Sequence, residues 1–183
     1  MKARNRIGKT SYAAGISLAA ILIGLLSGKL FAALVNSQVP KSLPHIEGDA
    51  WLNSRKLKLH ELKGKVVLVE FWTYACYNCH NVEPYIKSWH SKYASQGLLT
   101  LAVHTPEFDY ERDINNVQSY LIKKRIQHPV IIDNSTRIWN SFNNRYWPVI
   151  YLFDKKGQLR YQQIGEGRYE LTEQWINTLL EEA

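Results

Sequence analysis

The feature that most restricts this chain is the run Lys65-Val66-Val67-Leu68-Val69-Glu70-Phe71-Trp72, apolar at almost every position. A half-exposed strand would alternate with polar residues. A near-continuous run of this length predicts a strand buried on both faces of a parallel sheet. Parallel strands need a crossover, and the sequence supplies one: Val82, Tyr85, Ile86, Trp89 and Tyr93 recur at helical spacing, with Gly97 to end the helix. Residues 98–103 then read as a second buried strand, Ile114, Val117 and Leu121 as one face of another helix, and Val130-Ile131-Ile132 as a short strand. Two further strands, 149–153 and 159–164, flank Asp154-Lys155-Lys156-Gly157, the pattern of a hairpin with glycine in a positive-φ position. Leu171, Trp175 and Leu179 line a closing helix, and Leu57-Lys58-Leu59 reads as an additional short strand. This order predicts an α/β sandwich with a mixed central sheet flanked by helices.

Cys76-Tyr77-Asn78-Cys79 falls between the buried strand and the first helix. The first cysteine is thus expected at a helix N-terminus, where free N–H groups and the helix dipole favour a thiolate. The second lies one turn into the helix, within bonding reach but shielded. Such a pair cycles between dithiol and disulfide: Cys76 attacks a substrate disulfide and Cys79 resolves the mixed disulfide. A purely structural disulfide here would close a very short loop and add little stability. A zinc site would need two ligands beyond the pair; His80 is adjacent and His104 is a further candidate, but there is no second cysteine pair, so no metal is expected.

The formal charge of +7 suggests a nucleic-acid partner until its placement is considered. Residues 1–37 hold Lys2, Arg4, Arg6, Lys9 and Lys29 with no acid, leaving 18 basic against 16 acidic residues in the rest. A nucleic-acid partner is therefore not expected. Those early charges precede an apolar stretch at 12–26 that resumes at 30–35, the order of a secretory signal or of an uncleaved anchor helix. Residues 1–37 are accordingly expected to be a signal anchor or signal peptide, contacting the membrane through a hydrophobic helix, with the chain from about 38 onward exported. Residues 38–50, with Pro40 and Pro44, read as a linker, and 51–183 as the folded domain.

The segment 66–84, VVLVEFWTYACYNCHNVEP, resembles the active-site region of the thioredoxin superfamily, particularly its exported TlpA-like branch. In finer detail FWTYACYNC, VHTPEF, NRYWP and GEG look like the thioredoxin-like domain of DipZ-type membrane electron carriers, over roughly residues 57–180. The resemblance implies that Cys76 is the nucleophile and Cys79 the resolving thiol. It implies that Glu70 is the buried acid that exchanges a proton with the resolving cysteine. Pro148 would be a cis-proline facing the pair, with Trp147, Trp72 and Tyr77 contacting substrate, and Pro84 a proline within the helix. No bound cofactor is implied. Ala75 replaces the tryptophan that precedes the first cysteine in cytosolic thioredoxins, and Tyr77-Asn78 replaces their Gly-Pro. The TlpA-like acid three residues past the second cysteine is Val82 here, with Glu83 beside it.

The expected activity is an exported thiol–disulfide oxidoreductase, at the periplasmic face of the inner membrane or free in the periplasm. It would reduce disulfides of envelope proteins, apocytochrome c being one candidate client. A separate membrane thiol donor of DipZ/CcdA type would supply electrons. The competing reading is a thiol peroxidase of peroxiredoxin type using Cys76, because Thr73-Tyr74-Ala75-Cys76 has the T-x-x-C spacing and Arg137 or Arg145 offers a partner cation.

Overall fold

The computed structural model describes residues 39–182. The expected N-terminal hydrophobic helix lies outside them; among the described residues no helix is long and apolar enough to cross a membrane. Six strands form one mixed sheet: β1 (Ala50–Leu52), β2 (Val66–Trp72), β3 (Leu98–His104), β4 (Val130–Ile132), β5 (Val149–Phe153) and β6 (Leu159–Ile164), in the order β1-β4-β3-β2-β5-β6. β2, β3 and β4 are mutually parallel, while β1, β5 and β6 run antiparallel to their neighbours. All seven residues of β2 are buried. This is the thioredoxin-like α/β arrangement, and β2 lies inside it with a partner on each side.

The alternation of side chains along β2 divides the interior in two. Val67, Val69 and Phe71 face a layer made by the short helix Arg137–Ser141 and by apolar residues of the 39–62 stretch, among them Leu43, Ile46 and Leu62. Val66 and Leu68 face the long helix Tyr77–Tyr93 and the closing helix Tyr169–Glu181, through Val82, Ile86, Trp89, Ile176 and Leu179. Trp72, on that same face, packs with Cys79 and with Val117 and Leu121 of the helix Ile114–Lys124. Glu70 sits between Leu68 and Trp72 on this face, so the one charged residue of the strand is carried beneath the helices.

Several local expectations are met for visible reasons. The α-helix after the cysteines ends at Tyr93 and tightens through a 3-10 turn to Gly97, whose φ of 107° is readily adopted by glycine. In the β5–β6 hairpin Asp154 Oδ1 accepts the amides of Lys156 and Gln158, and Gly157 donates to the Asp154 carbonyl at 2.8 Å. Others differ. Leu57-Lys58-Leu59 is not a strand: the chain forms a helical turn at Leu59–Leu62, burying Leu62 against the sheet. Strand β1 and the helix Arg137–Ser141 are additional, each too short to show a period in sequence. The stretch before β1 is extended and docks on the hairpin, with Leu43 donating to the Gly157 carbonyl at 2.8 Å and Leu159 to that of Lys41 at 2.9 Å.

Phe71 is the most completely enclosed ring of β2, edge-on to Trp139, Phe142 and Tyr151 at centroid separations of 5.7, 5.0 and 5.9 Å. Phe71→Ala should therefore cost about 3–5 kcal/mol of stability. Urea unfolding of the oxidised protein checks this, and a loss well under 1 kcal/mol would mean that this face is not the packed core described.

Candidate active site

Past Trp72 the chain leaves the sheet, turns through residues 73–75 and enters the long helix at Cys76. That residue is extended (φ −74°, ψ 115°) and is the helix N-cap. Its carbonyl accepts the His80 amide and its sulfur the Cys79 amide, both at 3.2 Å. A sulfur that accepts a first-turn amide at the positive end of a helix is placed where a thiolate is favoured. Cys76 and Cys79 form a disulfide with Cα atoms 5.2 Å apart. Cys76 is partly exposed and Cys79 is buried, so one sulfur is reachable and the other shielded.

The Trp147–Pro148 peptide is cis. Val149 pairs with Phe71, which puts Pro148 at the end of β2 from which the cysteine loop departs. Trp147 is half-buried. Its Nε1 donates to the Thr105 carbonyl at 3.0 Å, its ring packs on Trp139 at 4.2 Å, and it adjoins the cluster that holds Trp72, Cys76 and Cys79. Tyr77, by contrast, is 76% exposed and stands outward beside Cys76.

Beneath the pair, Glu70, Trp72, Cys79, Glu83, Tyr120 and His128 line a small cavity of about 10 Å3. Burial, with a further contribution from the Glu83 charge, pushes the Glu70 carboxyl up to about 8. Glu83 lies one helical turn after Cys79, accepting the Tyr120 hydroxyl at 2.7 Å and the Lys87 ammonium at 3.2 Å.

A family model described as the AhpC/TSA family matches residues 39–162. The chain belongs to the AhpC/TSA family. The thiol-disulfide oxidoreductase YkuV of Bacillus subtilis is 30% identical over 141 residues, covering 76% of this AhpC/TSA chain and 95% of YkuV. Protein DipZ of Mycobacterium bovis is 38% identical over 144 residues, which are 76% of this chain and 21% of DipZ, so the chain spans about a fifth of that relative's length. The crystal structure of the thioredoxin-like superfamily protein SPOA0173 superposes with a TM-score of 0.73 at 26% identity, covering 79% of this chain and 99% of that one. This AhpC/TSA chain thus combines a thioredoxin-like fold with a Cys-x-x-Cys disulfide at the N-terminus of its long helix, a pair with the chemistry for redox exchange.

Other residues singled out in the sequence take structural places. The Thr73 hydroxyl, which the T-x-x-C spacing would bring to the Cys76 sulfur, is fully buried and donates to Glu111. Arg137 pairs with Asp49 at 2.9 Å, and Arg145 is exposed. His80 donates from Nε2 to the Tyr74 carbonyl at 2.7 Å and stacks on Tyr120. His104 is buried, and burial pushes it down to about 4. Glu111 was not anticipated. It follows Phe108-Asp109-Tyr110 in a short polar-aromatic loop, and nothing in the order of residues shows that this acid turns inward.

The raised value at Glu70 has a measurable consequence. The folded protein holds the Glu70 proton more tightly than the unfolded chain, so this stabilisation is complete below about 4.5 and is lost as pH rises through about 8. Against wild type, Glu70→Gln should gain stability progressively across that window, by several kcal/mol at its upper end. Chemical denaturation as a function of pH checks this, and parallel stability curves for the two proteins would contradict a buried neutral Glu70.

Proposed function

We propose that this protein works outside the cytoplasm as a reductant of disulfides in envelope proteins, with Cys76 as nucleophile and Cys79 as resolving thiol. The observation that carries the reading is the asymmetric pair: a partly exposed sulfur at a helix N-cap bonded to a buried one. In the reduced protein the Cys76 thiolate attacks one sulfur of a client disulfide, forming a mixed disulfide and releasing one client thiolate, which takes a proton. Cys79 then loses its proton, attacks Cys76 and releases the second client sulfur. Two electrons have passed to the client, and the Cys76–Cys79 disulfide remains.

Glu70 is the proton partner in this reading. When a donor dithiol returns two electrons to the oxidised pair, the neutral carboxyl gives its proton to the Cys79 thiolate across the cavity that both line; in the forward step the carboxylate takes it back. Pro148 and Trp147 offer backbone to an extended client segment, Trp72 supports the wall of the site, and the exposed ring of Tyr77 meets the client beside Cys76. The donor is a membrane thiol carrier. Support for export is the charge-then-apolar order of residues 1–37 together with the similarity to part of DipZ. Exported apocytochrome c, whose haem-binding thiols must be reduced, is a client of the right chemistry.

Trapping tests the assignment. Cys79→Ala in the producing cell should leave Cys76 covalently joined to exported clients and to a membrane thiol carrier, and purified Cys76→Ala should reduce no insulin disulfide. Absence of any Cys76-linked protein, with insulin reduction retained in both variants, would overturn it.

A further inference from the structure

Glu111 is fully buried and lies in a 3-10 turn, Asp109–Arg112, that follows β3. Its Oε1 accepts the Ala75 amide at 3.1 Å and the Thr73 hydroxyl, while Oε2 accepts the amides of Glu107 and Phe108 at 2.7 and 2.9 Å. One carboxylate thus fastens two loops together, and one of its donors is the amide directly before Cys76. Burial acts to raise this carboxyl, but the bonds from Thr73, Phe108, Glu107 and Ala75 outweigh it and hold the group below the ordinary carboxylate range, so it is an anion at neutral pH. Every one of those donors is neutral. Because the Thr73 hydroxyl hydrogen goes to Glu111, its oxygen accepts from Nε2–H of His104 at 3.2 Å, and His104, uncharged near neutrality, adds no cation.

We propose that Glu111 is the positioning residue of this active site: it fixes the loop that presents Cys76, and its uncompensated charge makes the Cys76–Cys79 pair a stronger reductant than the helix end alone would make it. The proposal deepens the reading of the chain as a disulfide reductant and rests on it. The chemistry is direct. Reduction of the pair consumes two electrons and two protons, and whatever stabilises the Cys76 thiolate stabilises the reduced form and makes the pair more oxidising. The helix N-terminus acts in that sense. A fixed negative charge next to the same loop acts in the other, and at an effective dielectric of about 20 it is worth about one pKa unit over roughly 10 Å. The other titratable groups around the pair are Glu70, Tyr74, Tyr77, His80, Glu83, His104, Tyr120 and His128; of these, Tyr74 and His104 feel the Glu111 charge, and His104 also loses its Thr73 partner in the second variant below.

The test compares the full chain with two variants that move the field in opposite senses. Glu111→Gln removes the charge; Thr73→Val keeps the charge and removes a neutral donor that partly offsets it. Each protein is equilibrated in a dithiothreitol redox buffer, and the reduced form is titrated by thiolate absorbance. In Glu111→Gln the equilibrium should shift about tenfold toward the dithiol, or about 30 mV more positive, with the Cys76 pKa about one unit lower. In Thr73→Val both quantities should move the opposite way, by a smaller amount. A purely structural clamp would give no such sign reversal. Unshifted values in Glu111→Gln, or shifts of one sign in both variants, would overturn the proposal. If Glu111→Gln does not fold, Thr73→Val decides alone, and a positive or absent shift there overturns it. A wild-type pair that exchanges with dithiothreitol but shows no variant effect refutes only the role of Glu111. A wild-type pair that does not exchange at all refutes the proposed function as well.

Discussion

The chemistry of this protein depends on the point where a fully buried strand hands the chain to a helix. β2 is held on both edges by neighbouring strands and on both faces by apolar layers, so its end is a fixed platform. Four residues later Cys76 caps the helix with its own sulfur, which accepts the Cys79 amide in place of the hydroxyl or carboxylate that usually fills this position. The bond that finishes the helix is therefore the one that prepares the sulfur. The cis peptide before Pro148 reaches the same end of the sheet, because Val149 is paired with Phe71.

Two buried glutamates near this junction illustrate how surroundings, not residue type, decide charge. Glu70 lies on the strand beneath the helices, where desolvation dominates and the Glu83 charge adds to it, and its carboxyl is pushed up to about 8. Glu111 is as deeply buried yet faces four neutral donors, and it stays ionised. One acid can thus exchange a proton in the physiological range while the other is a fixed anion. In the proposed reading the sulfur pair lies between them in function: one would manage the proton that accompanies the electrons, and the other would bias how readily the electrons leave.

Most of what positions the site could be read from the chain because it is local. The apolar run of β2, the helical spacing from Val82 to Tyr93, and the Cys-x-x-Cys at their junction each carry their signal within one element. The burial of Glu70 follows from its place in that run. The rest depends on contacts between distant segments. β1 is three residues whose strand character comes from pairing with β4, and Leu59–Leu62 is a single turn held by what Leu62 packs against. Glu111 is 36 residues from Ala75, and only the folded sheet brings its loop beside the cysteine loop. The T-x-x-C spacing shows the converse: a local pattern was present, but a long-range acid captured the Thr73 hydroxyl.

The most direct measurement is the pH dependence of alkylation of each cysteine in the reduced protein, followed by peptide mass analysis. The expected result is that Cys76 reacts first, with an apparent pKa below the ordinary thiol value of about 8.5, while Cys79 remains protected until the protein unfolds. Equal rates at the two sulfurs, or a Cys76 that titrates at or above the ordinary value, would contradict the claim that the helix end activates this sulfur.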